Sequence, residues 1–408
     1  MDMMKFAFLL VAIIVFSIHG NSAEARRILS QENQDLEKQY FKRSFNTKPI
    51  IKTLRTEEGD IFDCIDIYKQ PALDHPSLKN HKIQKRPSSE PKRFSTRSKL
   101  TSENPTNSPI KPLECPKGTV PIRRFPKEAK SFFETSPLDI HLTATASNVP
   151  GQHVAQRRSV DGAKDAYLGA QALININNPK VGDNQYSAAK IWVEGGPSDH
   201  VSTLQAGWAV SSQLLGDNQT RLFVYSNPDV QHEEGCFNLQ NCYGFLQVDE
   251  KFSLGQAITL VSVYDGDQYA TFFTIYQDDV TQHWWLGIGP NPNEVTWFGY
   301  WPAWRFPNLK GGAKNIAWGG LVKGTSNGPS PQMGNGEWPS GVFEYAGNFG
   351  YLQFLDHASY TWTDIEKSEF EIFVDDGTCY EVQYKGCFGG DQRCTFIYGG
   401  PGGDNCGP

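Results

Sequence analysis

The chain has 408 residues, of which 38 % are hydrophobic, enough for a sizeable core in two or three domains. Its net charge of −7 is unevenly distributed: residues 26–125 carry 21 Lys/Arg against 12 Asp/Glu, and residues 126–408 carry 16 against 31. The basic segment can either dock on the acidic part by charge attraction or remain a solvated linker. We expect no cofactor and no nucleic-acid partner.

Residues 1–25 have the pattern of a secretory signal peptide. Lys5 provides a charged start, residues 6–18 form a short apolar run, and Ala23-Glu24-Ala25 fits a cleavage site. No later run of 18 apolar residues occurs, so we expect no membrane span after signal removal. The sequence therefore predicts a secreted protein.

All eight cysteines follow the predicted signal peptide, which fits an oxidising compartment. The last four are separated by 8, 7 and 12 residues with no His among them, which favours disulfides over a metal site. We expect no metal. From regional clustering, the predicted pairs are Cys64–Cys115, Cys236–Cys242, Cys379–Cys406 and Cys387–Cys394.

Residues 26–125 predict a small, mainly β pro-segment. A Glu58-Gly59-Asp60 turn precedes the strand-like run 61–67, and structure is expected again from Glu114 to Arg124. Residues 85–112 are rich in Pro, Ser and Lys with almost no aliphatic residues, which predicts a disordered tether open to proteases.

Residues 150–408 predict an all-β main domain, an antiparallel β-sandwich. Short β-rich runs recur between Gly, Asn, Asp and Pro, with no long helical pattern. Six of the ten tryptophans lie in residues 283–320 at strand-like spacings. Alternation would place some of these aromatics in the core and others along a groove, although all six could be core residues. Asn218-Gln219-Thr220 is a glycosylation sequon, expected on a surface turn.

Several motifs together resemble the neprosin family of plant secreted proteins. The run 58–76 and Cys115-Pro116-Lys117-Gly118-Thr119-Val120-Pro121-Ile122-Arg123-Arg124 resemble the family's activation peptide. The main domain contributes these motifs: Gln205-Ala206-Gly207-Trp208, Gly216-Asp217-Asn218-Gln219-Thr220-Arg221, Gly235-Cys236-Phe237-Asn238-Leu239, Gly299-Tyr300-Trp301-Pro302, Trp318-Gly319-Gly320, Gln332-Met333-Gly334 and Tyr398-Gly399-Gly400-Pro401-Gly402.

The resemblance implies a β-sandwich endopeptidase that is made as a zymogen and cuts after proline with a pair of glutamates. One carboxylate would activate water while the other, protonated, would donate a proton. The two family positions are occupied here by Gln205 and Leu321. An amide cannot act as a general base and leucine exchanges no proton, so the dyad is missing on this interpretation. Glu194 and Glu337 are the substitute candidates because each lies near a Trp.

We therefore expect a neprosin-like protein, secreted to the cell wall or apoplast, whose peptidase activity is weak or lost. Its expected partners are its own pro-segment and proline-rich peptides, because aromatic side chains accommodate proline rings well. The predicted groove residues are Trp208, Tyr300, Trp301 and Trp318. Two alternatives stay open: an active glutamic prolyl endopeptidase, and a cell-wall or glycan-binding structural protein.

Overall fold

The computed structural model describes residues 48–75, 78, 80–92, 109–125, 149–230, 235–239, 243–325, 328–366, 368–388 and 393–406. The predicted signal peptide lies outside the described residues. Within them, no helix has the length and apolar character needed to cross a membrane.

The pro-segment contains a small antiparallel sheet, sheet A, as predicted. Its strand order is β1 (Ile50–Arg55), β2 (Ile61–Asp66), β3 (Thr119–Arg123). Gly59, in the turn between β1 and β2, has a φ of 88°, a left-handed conformation that favours glycine. The fold of this segment therefore follows from its turn and strand signals.

The main domain is the predicted antiparallel β-sandwich, built from sheets B and C. The strands of sheet C are β4 (Gln152–Ser159), β6 (Tyr186–Gly195), β7 (Ser202–Ser211), β8 (Asp217–Asn227), β9 (Cys236–Phe237), β14 (Asn315–Lys323) and β17 (Phe370–Val374). Those of sheet B are β5 (Tyr167–Asn175), β10 (Leu246–Gln247), β11 (Ala270–Gln277), β12 (Trp284–Gly289), β13 (Thr296–Trp301), β15 (Gly347–Asp356), β16 (Thr361–Asp364), β18 (Glu381–Cys387) and β19 (Cys394–Gly399). Sheet C has the order β17-β4-β14-β6-β7-β8-β9, and sheet B has the order β10-β13-β12-β11-β5-β15-β19-β18 with β16 paired to β15.

Helical structure is confined to short turns in the described residues. One α-helical turn spans Ser212–Leu215, and 3-10 turns span Ile67–Lys69, Pro71–Asp74, Ala303–Arg305, Pro307–Leu309 and Phe343–Tyr345.

The main core lies between sheets B and C. Trp208 of β7 and Trp318 of β14 point into it, and their indole nitrogens donate to the carbonyls of Asn175 and Gln171 on β5. These bonds satisfy the polar atom of each buried tryptophan across the sandwich. A second apolar cluster lies on the other face of sheet C.

The pro-segment packs on the main domain through buried polar contacts. The side chain of Gln70 exchanges two hydrogen bonds of 3.0 Å with the backbone of Gln247. Asp60 accepts from Arg123 of its own sheet and, at 2.6 Å, from Arg221 of β8. This buried ion pair joins an acid of the basic segment to a base of the acidic domain, opposite to the overall charge asymmetry. Specific contacts therefore hold the segment here.

The predicted tether 85–112 is ordered at both ends. Backbone N–H groups of Ser88 and Ser89 donate to Asp278 of the main domain, and the backbone nitrogen of Thr259 donates to the carbonyl of Pro109. Its composition lacks aliphatic residues, but the main domain supplies the aromatic surface and hydrogen-bond partners that order residues 85–92. Residues 93–108 lie outside the described chain.

Three of the predicted disulfides are present: Cys64–Cys115, Cys379–Cys406 and Cys387–Cys394. Cys236 is also disulfide-bonded, and Cys242, its predicted partner, lies outside the described residues. Asn218 is exposed as the second residue of β8, so the sequon lies at a strand start and not within a turn; its glycosylation stays a prediction.

Candidate active site

The outer face of sheet C, which points away from sheet B, carries the first candidate residues. Lys190, Trp192 and Glu194 alternate along β6 on this face, while Ile191 and Val193 enter the main core. Lys190 is paired with Gly207 on β7 and Gly319 on β14. A Cβ atom at either glycine would collide with the backbone of a neighbouring strand, so these two positions require glycine for the close approach of the strands beside Lys190.

Four polar side chains form a continuous hydrogen-bonded chain on this face, which we call the polar chain. Nζ of Lys190 donates to Oε1 of Gln205 at 2.6 Å, and Nε2 of Gln205 donates to Oγ1 of Thr203 at 3.1 Å. The Thr203 hydroxyl donates to Oε1 of Glu194 at 3.0 Å. All four residues are at most 2 % exposed in the full-length chain. A substrate can reach them only after the chain rearranges.

Aromatic side chains surround the polar chain. Nζ of Lys190 lies 4.6 Å from the ring centroid of Trp192 and 5.9 Å from that of Phe223. Phe223 stacks on Phe237 with a centroid separation of 5.6 Å, and Tyr225 is paired with Gln205 across β7 and β8. The lysine charge is therefore stabilised by ring faces as well as by the amide.

The glycines near the two family dyad positions predict that Gln205 and Leu321 face each other across the floor of the groove. The two positions share this outer face, but they are not directly opposite each other. Gln205 is in line with Trp192 and Ala317, whereas Leu321 is in line with Ala188. The offset is two strands across and four residues along, or roughly 16 Å between Cα atoms from standard strand spacings. Lys190 lies midway on this diagonal.

The structure separates the two substitute carboxylates. Glu194 is buried and belongs to the polar chain. Glu337 is exposed in the loop before Trp338, and its carbonyl approaches Gly399 of β19. The structure therefore brings Glu194, and not Glu337, to Gln205.

The prediction that four aromatic residues line a groove is wrong for three of them. Trp208, Trp301 and Trp318 are fully buried in the main core, because strand alternation turns them inward. Tyr300 lies on the outer face of sheet B, where His81 and Gln84 of the pro-segment contact its hydroxyl. The aromatic lining beside Gln205 comes from Trp192, Phe223, Tyr225 and Phe237.

Sequence reasoning missed Lys190 and Thr203. The alternation Lys190, Trp192, Glu194 in a strand flanked by apolar residues was the available signal, since charged residues on a strand between core residues must share the opposite face.

The polar chain contains one carboxylate and one amide donor. A carboxylate can activate water or donate a proton, and an amide N–H can stabilise an oxyanion but cannot accept a proton at acid pH. Among the described residues, the one group with metal-like spacing is Asp376, Cys379 and Cys406. The two sulfur atoms are bonded to each other, which leaves a single carboxylate and no metal site there.

Comparison with known proteins assigns both parts of the chain. A family profile described as Neprosin matches residues 183–401, more than half of the chain, and one described as Neprosin activation peptide matches residues 53–136. The chain is also similar to a crystal structure of scytalido-glutamic peptidase with a transition state analog inhibitor, at 9 % identity over 61 % of this chain and 100 % of that one, with a TM-score of 0.34. SCP-B, a member of the eqolisin family of peptidases in complex with the tripeptide Ala-Ile-His, gives 9 % identity, coverages of 61 % and 98 %, and a TM-score of 0.32. Because both TM-scores are low, neither structure supports an argument about chemistry.

Proposed function

This chain belongs to the neprosin family, and we propose that it is a secreted member that binds proline-rich peptides while its peptidase activity is weak or lost. The observation that carries the proposal is the bond from Lys190 to Gln205 at a position where the family resemblance implies a glutamate. The second position, Leu321, lies in the apolar cluster on the same face. Neither side chain can move a proton in the reaction.

Lys190 supports the loss of the dyad mechanism. Its backbone lies midway between the two positions and its ammonium group donates to Gln205, so a carboxylic acid near it would be driven towards the ionised form. A dyad needs one protonated and one ionised carboxyl group. The polar chain therefore favours binding over acid catalysis.

The aromatic lining supports retention of peptide binding. Trp192 and Phe223 lie beside Nζ of Lys190, and Phe237 stacks on Phe223, so these rings form the aromatic lining. An extended proline-rich peptide loses little conformational entropy when it binds such a surface.

A second candidate function is peptide cleavage through Glu194 and Gln205. It is favoured by Thr203, which connects the carboxylate to the amide in one hydrogen-bonded chain. Glu194 would activate water, and Nε2 of Gln205 would stabilise the oxyanion.

A cleavage assay distinguishes peptide binding without cleavage from cleavage through Glu194 and Gln205. Acid-treated protein is incubated with a proline-containing peptide, beside the Glu194→Gln variant and the Glu337→Gln variant as a matched control outside the polar chain. Our proposal predicts at most weak cleavage after proline, equal in all three samples. Cleavage that is lost only in Glu194→Gln would establish the second candidate. Retention on an insoluble polysaccharide but not on proline-rich peptide would instead indicate a glycan-binding protein.

A further inference from the structure

Residues 81–92 of the pro-segment run across the outer face of sheet B, on the side of the sandwich opposite to the polar chain. At one end, His81 and the backbone nitrogen of Gln84 contact the hydroxyl of Tyr300 at 2.6 and 3.3 Å. At the other end, Lys92 forms a parallel β-bridge with Thr361. This extended segment therefore spans β13 to β16.

The sheet beneath the segment is strongly aromatic. We call it the outer aromatic surface, defined by Tyr276, Trp285, Trp297, Tyr300, Tyr360 and Trp362. Trp285 contacts Tyr300 at 4.6 Å and Trp297 at 6.3 Å between ring centroids, and Tyr276 contacts Trp297 at 5.5 Å and Trp362 at 6.3 Å. Trp284 and Trp285 are adjacent but point to opposite faces, the first into the core and the second into this surface.

The segment binds this surface as a proline-containing extended peptide. Alternate residues face the sheet: Pro87 and Ser89 are half-buried and Pro91 is buried, while Ser88, Glu90 and Lys92 are exposed. The carbonyl of Ser89 accepts from the Tyr276 hydroxyl at 2.9 Å. Prolines combined with a tyrosine donor to a peptide carbonyl are the elements by which aromatic surfaces recognise extended proline-rich chains.

The outer aromatic surface has unused hydrogen-bond donors. Nε1 of Trp285 and Nε1 of Trp362 are buried with no acceptor among the described residues. A buried donor without a partner costs free energy that a ligand with a suitably placed carbonyl would recover. Residues 81–92 therefore cover the outer aromatic surface but give these two indole N–H groups no hydrogen-bond acceptor.

Charged side chains at the edge of the outer aromatic surface indicate the sign of the charge that a ligand would carry there. Lys85 and Arg86 line an open cavity to which the main domain contributes two acids, Asp249 and Glu250, against one base, Lys251. Asp278 accepts from the backbone of Ser88 and Ser89. A peptide with basic residues before its prolines complements these carboxylates.

From these observations we propose that the outer aromatic surface is a second binding site, specific for a basic, proline-containing extended peptide from a partner protein, and that residues 81–92 occupy it in cis. This proposal goes beyond the proposed function, because the second site lies on sheet B and requires no chemistry at Gln205 or Glu194. Displacement of residues 81–92 would expose it.

The test uses a full-length chain in which residues 81–92 are replaced by a Gly/Ser linker of the same length. A fluorescein-labelled peptide of sequence HKIQKRPSSEPK is titrated with this chain and binding is followed by fluorescence anisotropy. We expect saturable binding to the linker chain and at least tenfold weaker binding to the unmodified chain, where the site is occupied in cis. Replacement of both prolines of the peptide by alanine should weaken binding at least tenfold.

Trp297→Ala in the linker chain should weaken binding at least tenfold, whereas Trp338→Ala, at a tryptophan exposed elsewhere, should change it less than twofold. Absence of binding to a folded linker chain, equal binding of the proline-free peptide, or equal effects of the two tryptophan variants would overturn the proposal. Should the linker chain fail to fold, Tyr276→Phe in the unmodified chain serves instead. Hydrogen exchange at residues 84–92 should then rise at least tenfold, and unchanged exchange would contradict the proposal. Because cleavage is not measured, the result is independent of the proposed loss of peptidase activity.

Discussion

Nζ of Lys190 lies 2.6 Å from Oε1 of Gln205, and this bond occupies the place where the family resemblance implies a reactive carboxylate. The register also places Lys190 midway between Gln205 and Leu321. The same lysine thus contacts one dyad position and separates it from the other.

In a chain that carries Lys190→Gln, which removes the charge beside the two positions, joint replacement Gln205→Glu with Leu321→Glu should confer cleavage after proline at acid pH. With Cα atoms roughly 16 Å apart, two glutamate side chains reaching towards each other leave a gap that water and a scissile peptide bond can fill. Either change alone should give little activity, because the two carboxyl groups act as a unit. The measurement is peptide cleavage by mass spectrometry, after a check that the variant folds despite its added buried charge.

The matched control, in the same Lys190→Gln chain, is Gln205→Glu with Ala317→Glu, which adds the same two carboxylates to the same face. Ala317 is in line with Gln205 through Trp192, so the indole lies between the two added groups. This pair should remain inactive. Equal activity of the two double variants would show that the positions of the two carboxyl groups in the strand register do not decide whether they act as a catalytic pair.

Asp60→Asn should lower the free energy of unfolding by about 3–5 kcal/mol, because it leaves two buried arginines without their shared carboxylate. Burial, followed by the charge of Arg221, lowers the pKa of Arg123, so this guanidinium depends on Asp60 for compensation. Urea unfolding of the full-length chain measures the change. Glu57→Gln is the control, since Glu57 has 86 % of its side chain exposed and pairs with Lys111 at the surface. A loss of stability in Glu57→Gln equal to that in Asp60→Asn would refute the buried-network explanation.

Docking of residues 81–92 should weaken as pH falls from about 6.5 towards 4. Burial lowers the pKa of His81, and burial together with the His81 charge lowers the pKa of His283 to about 4, while Asp278 opposes the shift. A released histidine has a pKa near 6.5, so the released state binds more protons across this window and acidification favours release.

Hydrogen exchange at residues 84–92 between pH 7 and 4.5, corrected for the intrinsic rate, checks the histidine prediction. His81→Gln should flatten the pH dependence, and His357→Gln, at an exposed turn, should leave it unchanged. A pH profile identical in His81→Gln and the unmodified chain would exclude this mechanism.

The sandwich was predictable because turn residues and alternating runs report strand structure locally. The sheet face on which a particular aromatic side chain lies was not predictable. Nothing in the sequence around Trp208 or Trp318 indicates which face of the strand packs into the core. The role of Lys190 was not predicted, because it depends on the pairing of β6 with β7 and β14, which brings residues distant in sequence into line. Ordering of residues 85–92 was missed for the same reason: its cause is the surface of sheet B, not its own composition.

The charge asymmetry of the two segments left docking and a solvated linker both open, because net charge says nothing about which groups meet. In the buried Asp60–Arg221 pair, the acid belongs to the basic segment and the base to the acidic domain. Local pattern therefore predicts elements, whereas contacts between elements decide the site.

The most direct test of the central claim measures binding and cleavage in one sample. Acid-treated protein is incubated with a proline-rich peptide at pH 4, the complex is isolated by size exclusion, and the bound peptide is analysed by mass spectrometry. We predict that the peptide is recovered bound and intact, at the same yield in Glu194→Gln as in the unmodified chain. Recovery of fragments that end in proline from the unmodified chain, with intact peptide from Glu194→Gln, would contradict the claim and show that Glu194 and Gln205 form an active site.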